Sequence, residues 1–324
     1  MIDRKYSVFI FNVASCNDRY CPAYGREFTI EEMFNRVKSI PLITAVDLVM
    51  TKNFKEKKEN IIENMKRTGL KVASVAMDTF SNQIYKNGSF SSINKKVRSK
   101  AIEEGKSVID FCEQLGCDIF TIWPGQDGFD YIFQADYIYE RQLFTDAIAE
   151  LCDYRKDIKI ALEYKIKEPR THSYISTIGT TLLMIKDIGA ENLGVIVDYG
   201  HASLGYESPA EAVAICKMYG DKLMHVHIND NYRLWDDDMI TGSVHTLEYV
   251  EFFYWLRRTG YEGYITIDQY PYREDGREAV NESTLWLNYF ETLIDKADKN
   301  EISSIIAKKD AIAASSLLRK LITA

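Results

Sequence analysis

Residues 217 to 230 read KMYGDKLMHVHIND. Lys217 to Tyr219 close a segment of helical period, Gly220 is the residue that most easily leaves a helix, and Leu223 to Ile228 is an apolar run broken only by His225 and His227. A helix that ends on glycine and passes within a few residues into a buried strand is the joint of a parallel α/β fold. The same joint recurs at KRTGLKV, EQLGCDI, KDIGAEN and RRTGYEG, around Gly69, Gly116, Gly189 and Gly260.

Outward from these joints, short β-branched runs alternate with longer helical segments. The runs are SVFIFNV (7–13), AVDLVM (45–50), KVASVAMD (71–78), CDIFTIWP (117–124), KIALEYK (159–165), LGVIVDYG (193–200), LMHVHIND (223–230) and YITIDQY (264–270). Helical period falls at 30–38, 53–69, 92–116, 133–155, 177–189, 208–220, 246–260 and 277–298. Eight strand–helix units predict an α/β fold of the (β/α)8 TIM-barrel type over residues 1–298. A doubly wound sheet would carry a glycine-rich phosphate loop after its first strand, and VASCNDRYC (13–21) is not one. Residues 299–324 place Ile302, Ile305, Ile306, Ile312, Leu317, Leu318 and Leu321 at roughly helical spacing, which predicts a C-terminal helical arm lying on its own barrel or on a neighbouring subunit.

The 324 residues are 46% hydrophobic and 27% charged, enough to bury a large core. A net charge of −8, with no basic stripe, speaks against nucleic acid as a partner. The six cysteines (16, 21, 112, 117, 152, 216) follow no metal or disulfide spacing and read as small reduced core residues. MIDRKYSVFIF lacks the features of a signal peptide and no run approaches a membrane span, so the expectation is a cytoplasmic protein with no membrane partner.

In a barrel, the C-terminal ends of the strands share one mouth, where barrel enzymes place their chemistry. Four consecutive predicted strands end there in Glu163, Asp198, His227 and Asp268. Three carboxylates converging on one spot repel one another unless a cation neutralises them, and with one imidazole they form an oxygen-rich shell suited to a divalent ion. Mn²⁺ is the first expectation, with Co²⁺, Mg²⁺ and Zn²⁺ as alternatives. Further along, WDDD (235–238) sets Asp236 and Asp238 on one side of an extended segment, with Asp237 turned away. With His201 from the loop after Asp198 they could hold a second ion, Asp198 bridging. His225, deeper than His227, reads as a core histidine. Lys165 shares a strand face with Glu163.

These stretches, with IWPGQDG (122–128), LEYKIKEPR (162–170), VDYGH (197–201), HVHINDN (225–231) and ITIDQYPYRED (265–275), resemble the xylose isomerase-like barrel superfamily, nearest in pattern to L-rhamnose isomerases. The resemblance covers about half the chain and implies a metal-dependent sugar isomerase with two ions per chain, acting on a small free sugar, and a homo-oligomer, dimer or tetramer. It implies catalytic roles for Lys165, Asp268 and Glu163, and substrate contacts for Trp123, Glu168, Arg170 and Asn229. It departs from xylose isomerases proper in having no histidine before His172, so their ring-opening group has no counterpart. The implied reaction is an aldose–ketose interconversion by a two-metal hydride shift. A ketose 3-epimerase on the same barrel is the alternative, and would use two glutamates around one metal. An endonuclease would need more histidines and a basic face, and a non-catalytic carbohydrate binder would have no use for seven ligand positions and Lys165.

Overall fold

The computed structural model describes residues 4–18 and 20–323; the start of the N-terminal stretch read above, residues 1–3, lies outside them. Among the described residues there are ten strands: β1 (Lys5–Phe9), β2 (Ile43–Met50), β3 (Lys71–Met77), β4 (Ile119–Ile122), β5 (Gly128–Phe129), β6 (Lys159–Glu163), β7 (His172–Ser173), β8 (Leu193–Asp198), β9 (Leu223–Ile228) and β10 (Tyr264–Ile267). Eight of them, all but β5 and β7, close into a barrel whose neighbouring strands run parallel, with β1 hydrogen-bonded to both β2 and β10. This is the (β/α)8 barrel read from the sequence.

Each crossover helix stops where its sequence provides a stop. Gly69, Gly116, Gly189 and Gly260 end their helices in left-handed geometry, with φ of 71°, 64°, 71° and 77°, which costs glycine nothing. The joint at 217–230 is slightly different: Tyr219 caps the helix Pro209–Met218, and Gly220 follows it. Helix starts are equally marked. Thr29 and Glu32 form a capping box ahead of Ile30–Lys38, and Asp136, Ser208 and Asp275 each accept a backbone N–H at the start of their helices. The apolar faces of these helices pack with the strands into one core in which Phe34, Ile61, Phe111, Phe144, Val213 and Phe290 are fully buried. Each such side chain contributes roughly 1.5–3 kcal/mol.

At the mouth every barrel strand but β2 ends earlier than the run read from the sequence, and three of these ends bear on the site. The first strand stops at Phe9 and its continuation, Ile10–Val13, turns into a short 3-10 helix. That turn is held by Asn12, whose amide donates to the carbonyl of Ile267 at 3.1 Å. The fourth strand ends at Ile122, so Trp123 begins a loop, and the last ends at Ile267, so Asp268 follows it. Asp268 nevertheless extends the ladder by one bond, its N–H reaching the carbonyl of Ile228 at 2.9 Å. An unanticipated short helix, Tyr199–Leu204, opens directly on Asp198. The described residues after 298 form two helices, Lys299–Lys308 and Ala311–Thr323, and Ile302, Leu317, Leu318 and Leu321 rest on the core of the same chain.

β5 and β7 pair antiparallel outside the barrel, Gly128 opposite Ser173 and Phe129 opposite His172. This ribbon ties the loop after β4 to the loop after β6, which carries Glu168 and Arg170. Gly128 permits it by close approach: a Cβ there would lie 1.9 Å from the carbonyl oxygen of His172. Gly128→Ala should therefore lower stability by about 1–3 kcal/mol and free the ribbon, read as a reduced urea midpoint and as faster amide exchange confined to residues 124–130 and 166–175.

Candidate metal centre

Glu163 is the last residue of β6, Asp198 the last of β8, His227 sits near the end of β9 and Asp268 follows β10. Parallel pairing puts Asp198 beside His227 and Glu163 beside Ile196, so the ends rise to a common level. One donor atom from each of the four residues lies within 4.8 Å of the others. His227 directs Nδ1 at this group, 3.0 Å from Glu163 Oε1 and 3.6 Å from Asp268 Oδ2.

The electrostatics of the cluster call for a cation. Burial pushes the Asp268 carboxyl up to about 8, with Glu163 and Asp198 adding to the rise and His227 opposing it. Asp198 is raised by burial and by the neighbouring carboxylates Glu163 and Asp236. Burial works to lower His227, but Glu163 and Asp268 raise it to about 10. Protons are thus retained where a metal ion would supply the positive charge, and the oxygen-rich donor set suits a hard or borderline divalent ion.

His201, Asp236 and Asp238 line the same pocket. The Asp198 carboxylate accepts the backbone N–H of His201 at 2.7 Å, so it caps the short helix while facing the cluster. His201 donates Nδ1–H to the Tyr164 carbonyl at 3.1 Å, which leaves Nε2 facing Asp236 Oδ2 at 3.2 Å. Fixing one ring nitrogen on a carbonyl is how a ligand histidine is oriented. Asp236 Oδ1 is buried without a partner. The Lys165 ammonium, 2.7 Å from Asp236 Oδ2, and His201 hold the Asp236 carboxyl below the usual range against its burial. Burial and Asp236 keep Asp238 well above it. Among the described residues these groups do not gather as tightly as the first four. The loop carrying Asp236 and Asp238 is pinned by paired backbone bonds between Asp230 and Met239, and by Tyr270 N–H on the Asp238 carbonyl at 2.8 Å. Asp237 turns away, its carboxylate accepting Tyr232 N–H at 2.9 Å.

Lys165 is buried, paired with Glu168 and Asp236, and stands 5.0 Å from the centre of the Trp123 ring. The two carboxylates outweigh burial and hold its ammonium above the ordinary lysine range. Trp123, Glu168 and Gln126 line a cavity of about 350 Å³ above the cluster, with Phe9, Phe11, Val49, Phe80 and Tyr270. Arg170 and Asn229 are not in that lining. Arg170 binds the Asp130 carboxylate at 2.9 Å and the Lys86 carbonyl at 3.0 Å, bracing loops around the mouth. Asn229 is fully buried beneath Asp198 and donates to its carboxylate at 3.2 Å.

A family profile described as xylose isomerase-like TIM barrel matches residues 37–290. The chain belongs to that family. It is 28% identical over 246 residues to xylose isomerase of Thermus thermophilus, covering 72% of this chain and 63% of that protein, so it spans about three fifths of that relative's length. Similar solved structures include 3-keto-D-glucoside 4-epimerase from E. coli (TM-score 0.67, 18% identity, 89% of this chain and 99% of that one). Another is D-allulose 3-epimerase from Methylomonas sp. (TM-score 0.69, 16% identity, 88% and 96%). At these identities the structures share the fold.

Sequence reasoning missed most of the apolar wall of this xylose isomerase-like pocket. Phe9, Phe11, Val49 and Phe80 come from the N-terminal half, where an aromatic or valine at a strand end looks like core. It also missed Asp47, a carboxylate inside AVDLVM whose placement at the barrel axis, 3.0 Å from His225, depends on closure of the sheet. No described helix is long and apolar enough to cross a membrane. The cysteines are unpaired, all buried except the half-buried Cys21.

Metal-free protein should lose stability as pH rises. His201 and His227 go from 6.5 to about 9 and about 10 on folding, and Asp268 from 3.8 to about 8, so the folded chain holds more protons than the unfolded one. The share from Asp268 is lost as pH rises from 3.8 to about 8, and the share from the two histidines between 6.5 and about 10. Urea titrations in EDTA should show this fall. Saturating Mn²⁺, which must displace those protons, should reverse the slope near neutral pH and add about 2.7 kcal/mol at a hundredfold excess over Kd.

Proposed function

We propose that the protein is a metal-dependent aldose–ketose isomerase acting on a free monosaccharide. The carrying observation is Lys165: a buried ammonium held by Asp236 and Glu168, over Trp123, in the cavity that the Glu163 and Asp268 carboxylates also line. One divalent ion on Glu163, Asp198, His227 and Asp268, and a second on Asp198, His201, Asp236 and Asp238, would supply Lewis acidity to two adjacent sugar oxygens.

The chain's own groups supply the rest. Lys165 is a fixed donor for the oxygen at C1, where negative charge grows as hydrogen leaves C2. Its carboxylate partners keep it charged, so it acts by hydrogen bonding and field rather than by giving up its proton. Trp123, Phe9, Phe11 and Phe80 offer apolar faces to C–H edges and exclude water. A cavity of about 350 Å³ suits one sugar ring or its open chain. Among the described residues its lining holds Lys165 and no arginine placed for a phosphate. The carboxylates facing His227 are one glutamate, Glu163, and one aspartate, Asp268, while the second glutamate of the lining, Glu168, is paired with Lys165; this supports direct transfer of hydrogen between C2 and C1 over proton shuttling by a pair of glutamates.

The test is an accepted aldose deuterated at C2 and converted in ordinary water with Mn²⁺. Retention of the label at C1 of the ketose is expected. Washout, or inversion at C3 of a ketose, would assign the protein instead to the 3-epimerases whose barrel it shares.

Lys165→Met should lower kcat by roughly 10²–10³-fold with a small change in KM, because the charge it meets is largest in the transition state. Steady-state kinetics on the same aldose measure this; an increase in KM alone would make Lys165 a binding group only.

A further inference from the structure

Below the metal ligands, the barrel interior holds Ser7, Asp47, Ser74, His225 and Thr266, all fully buried. Barrel interiors are usually filled by branched apolar side chains. Here Asp47 receives three donors: the Ser74 hydroxyl, the Thr266 hydroxyl at 2.9 Å and His225 Nε2 at 3.0 Å. Because the Thr266 proton is committed to Asp47, the 2.8 Å contact between Thr266 Oγ1 and His225 Nε2 has the ring as donor. His225 therefore carries its proton on Nε2.

The ring of His227 stands edge-on to that of His225, centroids 5.1 Å apart at 86°. One oxygen of Asp47, one ring nitrogen of His225 and one of His227 lie within 4.8 Å of one another. On the upper side, His227 Nδ1 faces Glu163 and Asp268. Nε2 of His227 is buried with no hydrogen-bond partner. His225 turns its Nε2 proton to Asp47 and Thr266, and the Asp47 carboxyl is held below the usual range despite its burial, with the two histidines lowering it, so the negative charge beneath His227 favours a proton on that nitrogen.

We propose that Asp47, acting with His225, positions the proton of His227: it holds that proton on Nε2 and leaves Nδ1 as a lone-pair donor to the ion in the cluster above. Asp47 is a positioning residue that touches neither substrate nor metal. Strand β2, from the half of the barrel that contributes no ligand, thus takes part in setting metal affinity. The inference rests on the metal-binding reading of Glu163, Asp198, His227 and Asp268.

Two measurements test it on the full chain. In protein with ¹⁵N-labelled histidines, loaded with Zn²⁺, His227 should show a protonated Nε2 and a metal-shifted Nδ1; a proton on Nδ1 overturns the proposal, and no variant is needed for this reading. By calorimetry, Asp47→Asn should weaken Mn²⁺ binding by about 10–100-fold, the usual effect of losing such a support. Thr266→Val, which keeps the charge, should cost less. Wild-type affinity in folded Asp47→Asn overturns the positioning role alone, whereas a wild-type chain that binds neither ion overturns the metal reading with it.

Discussion

The structure turns on the mutual repulsion of carboxylates that a closed parallel barrel forces together. Parallel pairing brings the C-terminal ends of β6, β8, β9 and β10 to one level, and closure turns them toward one axis. Glu163, Asp198 and Asp268 then share a space in which they cannot all be charged without a counter-ion. Burial and mutual repulsion drive Asp268 and Asp198 toward their protonated forms, and the same field draws protons onto His201 and His227. A divalent ion resolves this conflict with charge that does not depend on pH. The fold therefore gathers buried side chains that could hold such an ion.

Around that conflict the side chains fall into an ordered sequence along the barrel axis. Deepest are Ser7, Asp47, Ser74 and Thr266, which bind one another and His225. His227 stands between them and the ligand cluster. Above lies the pocket, with Lys165, Asp236 and Glu168 on one side and Phe9, Phe11 and Phe80 on the other. Acidic groups and imidazoles succeed one another along this path, from Asp47 through His225 and His227 to the carboxylates and then Lys165. Such a column is costly to desolvate and remains stable only where nearly every polar atom has a partner. The buried atoms left without one include His227 Nε2 and Asp236 Oδ1, both belonging to proposed ligand residues.

The pocket's two faces have different origins. Its charged side is built from β6 and from the loops after β6, β8, β9 and β10, and the loop bearing Asp236 and Asp238 is clamped by Asp230 and Tyr270. Most of its apolar side comes from β1 to β4 and the segments just after them, which supply Phe9, Phe11, Val49, Phe80 and Trp123, joined by Tyr270 from after β10. A sugar presents both hydroxyls and C–H faces, and this cavity offers a surface for each.

From the residues alone, the barrel was legible because its signals are local: glycine at the helix ends, period-two and period-3.6 patterns, and eight repeats of one unit. The cluster residues Glu163, Asp198 and His227 were legible because a charged residue closing an apolar strand contradicts its surroundings, and four such contradictions in a row point to one mouth. Trp123, Glu168, Arg170 and Asn229 had no such contradiction behind them and rested on the resemblance of their motifs; two of the four line the cavity, while Arg170 and Asn229 brace it from behind. Asp47 and the aromatic wall could not be read, since a strand pattern says that a side chain is buried but not what it meets across the barrel. Partnership between residues 178 positions apart, as in Asp47 and His225, arises only when the sheet closes. Local sequence thus determined the units and the charges they carry, and tertiary closure decided which of those charges face one another.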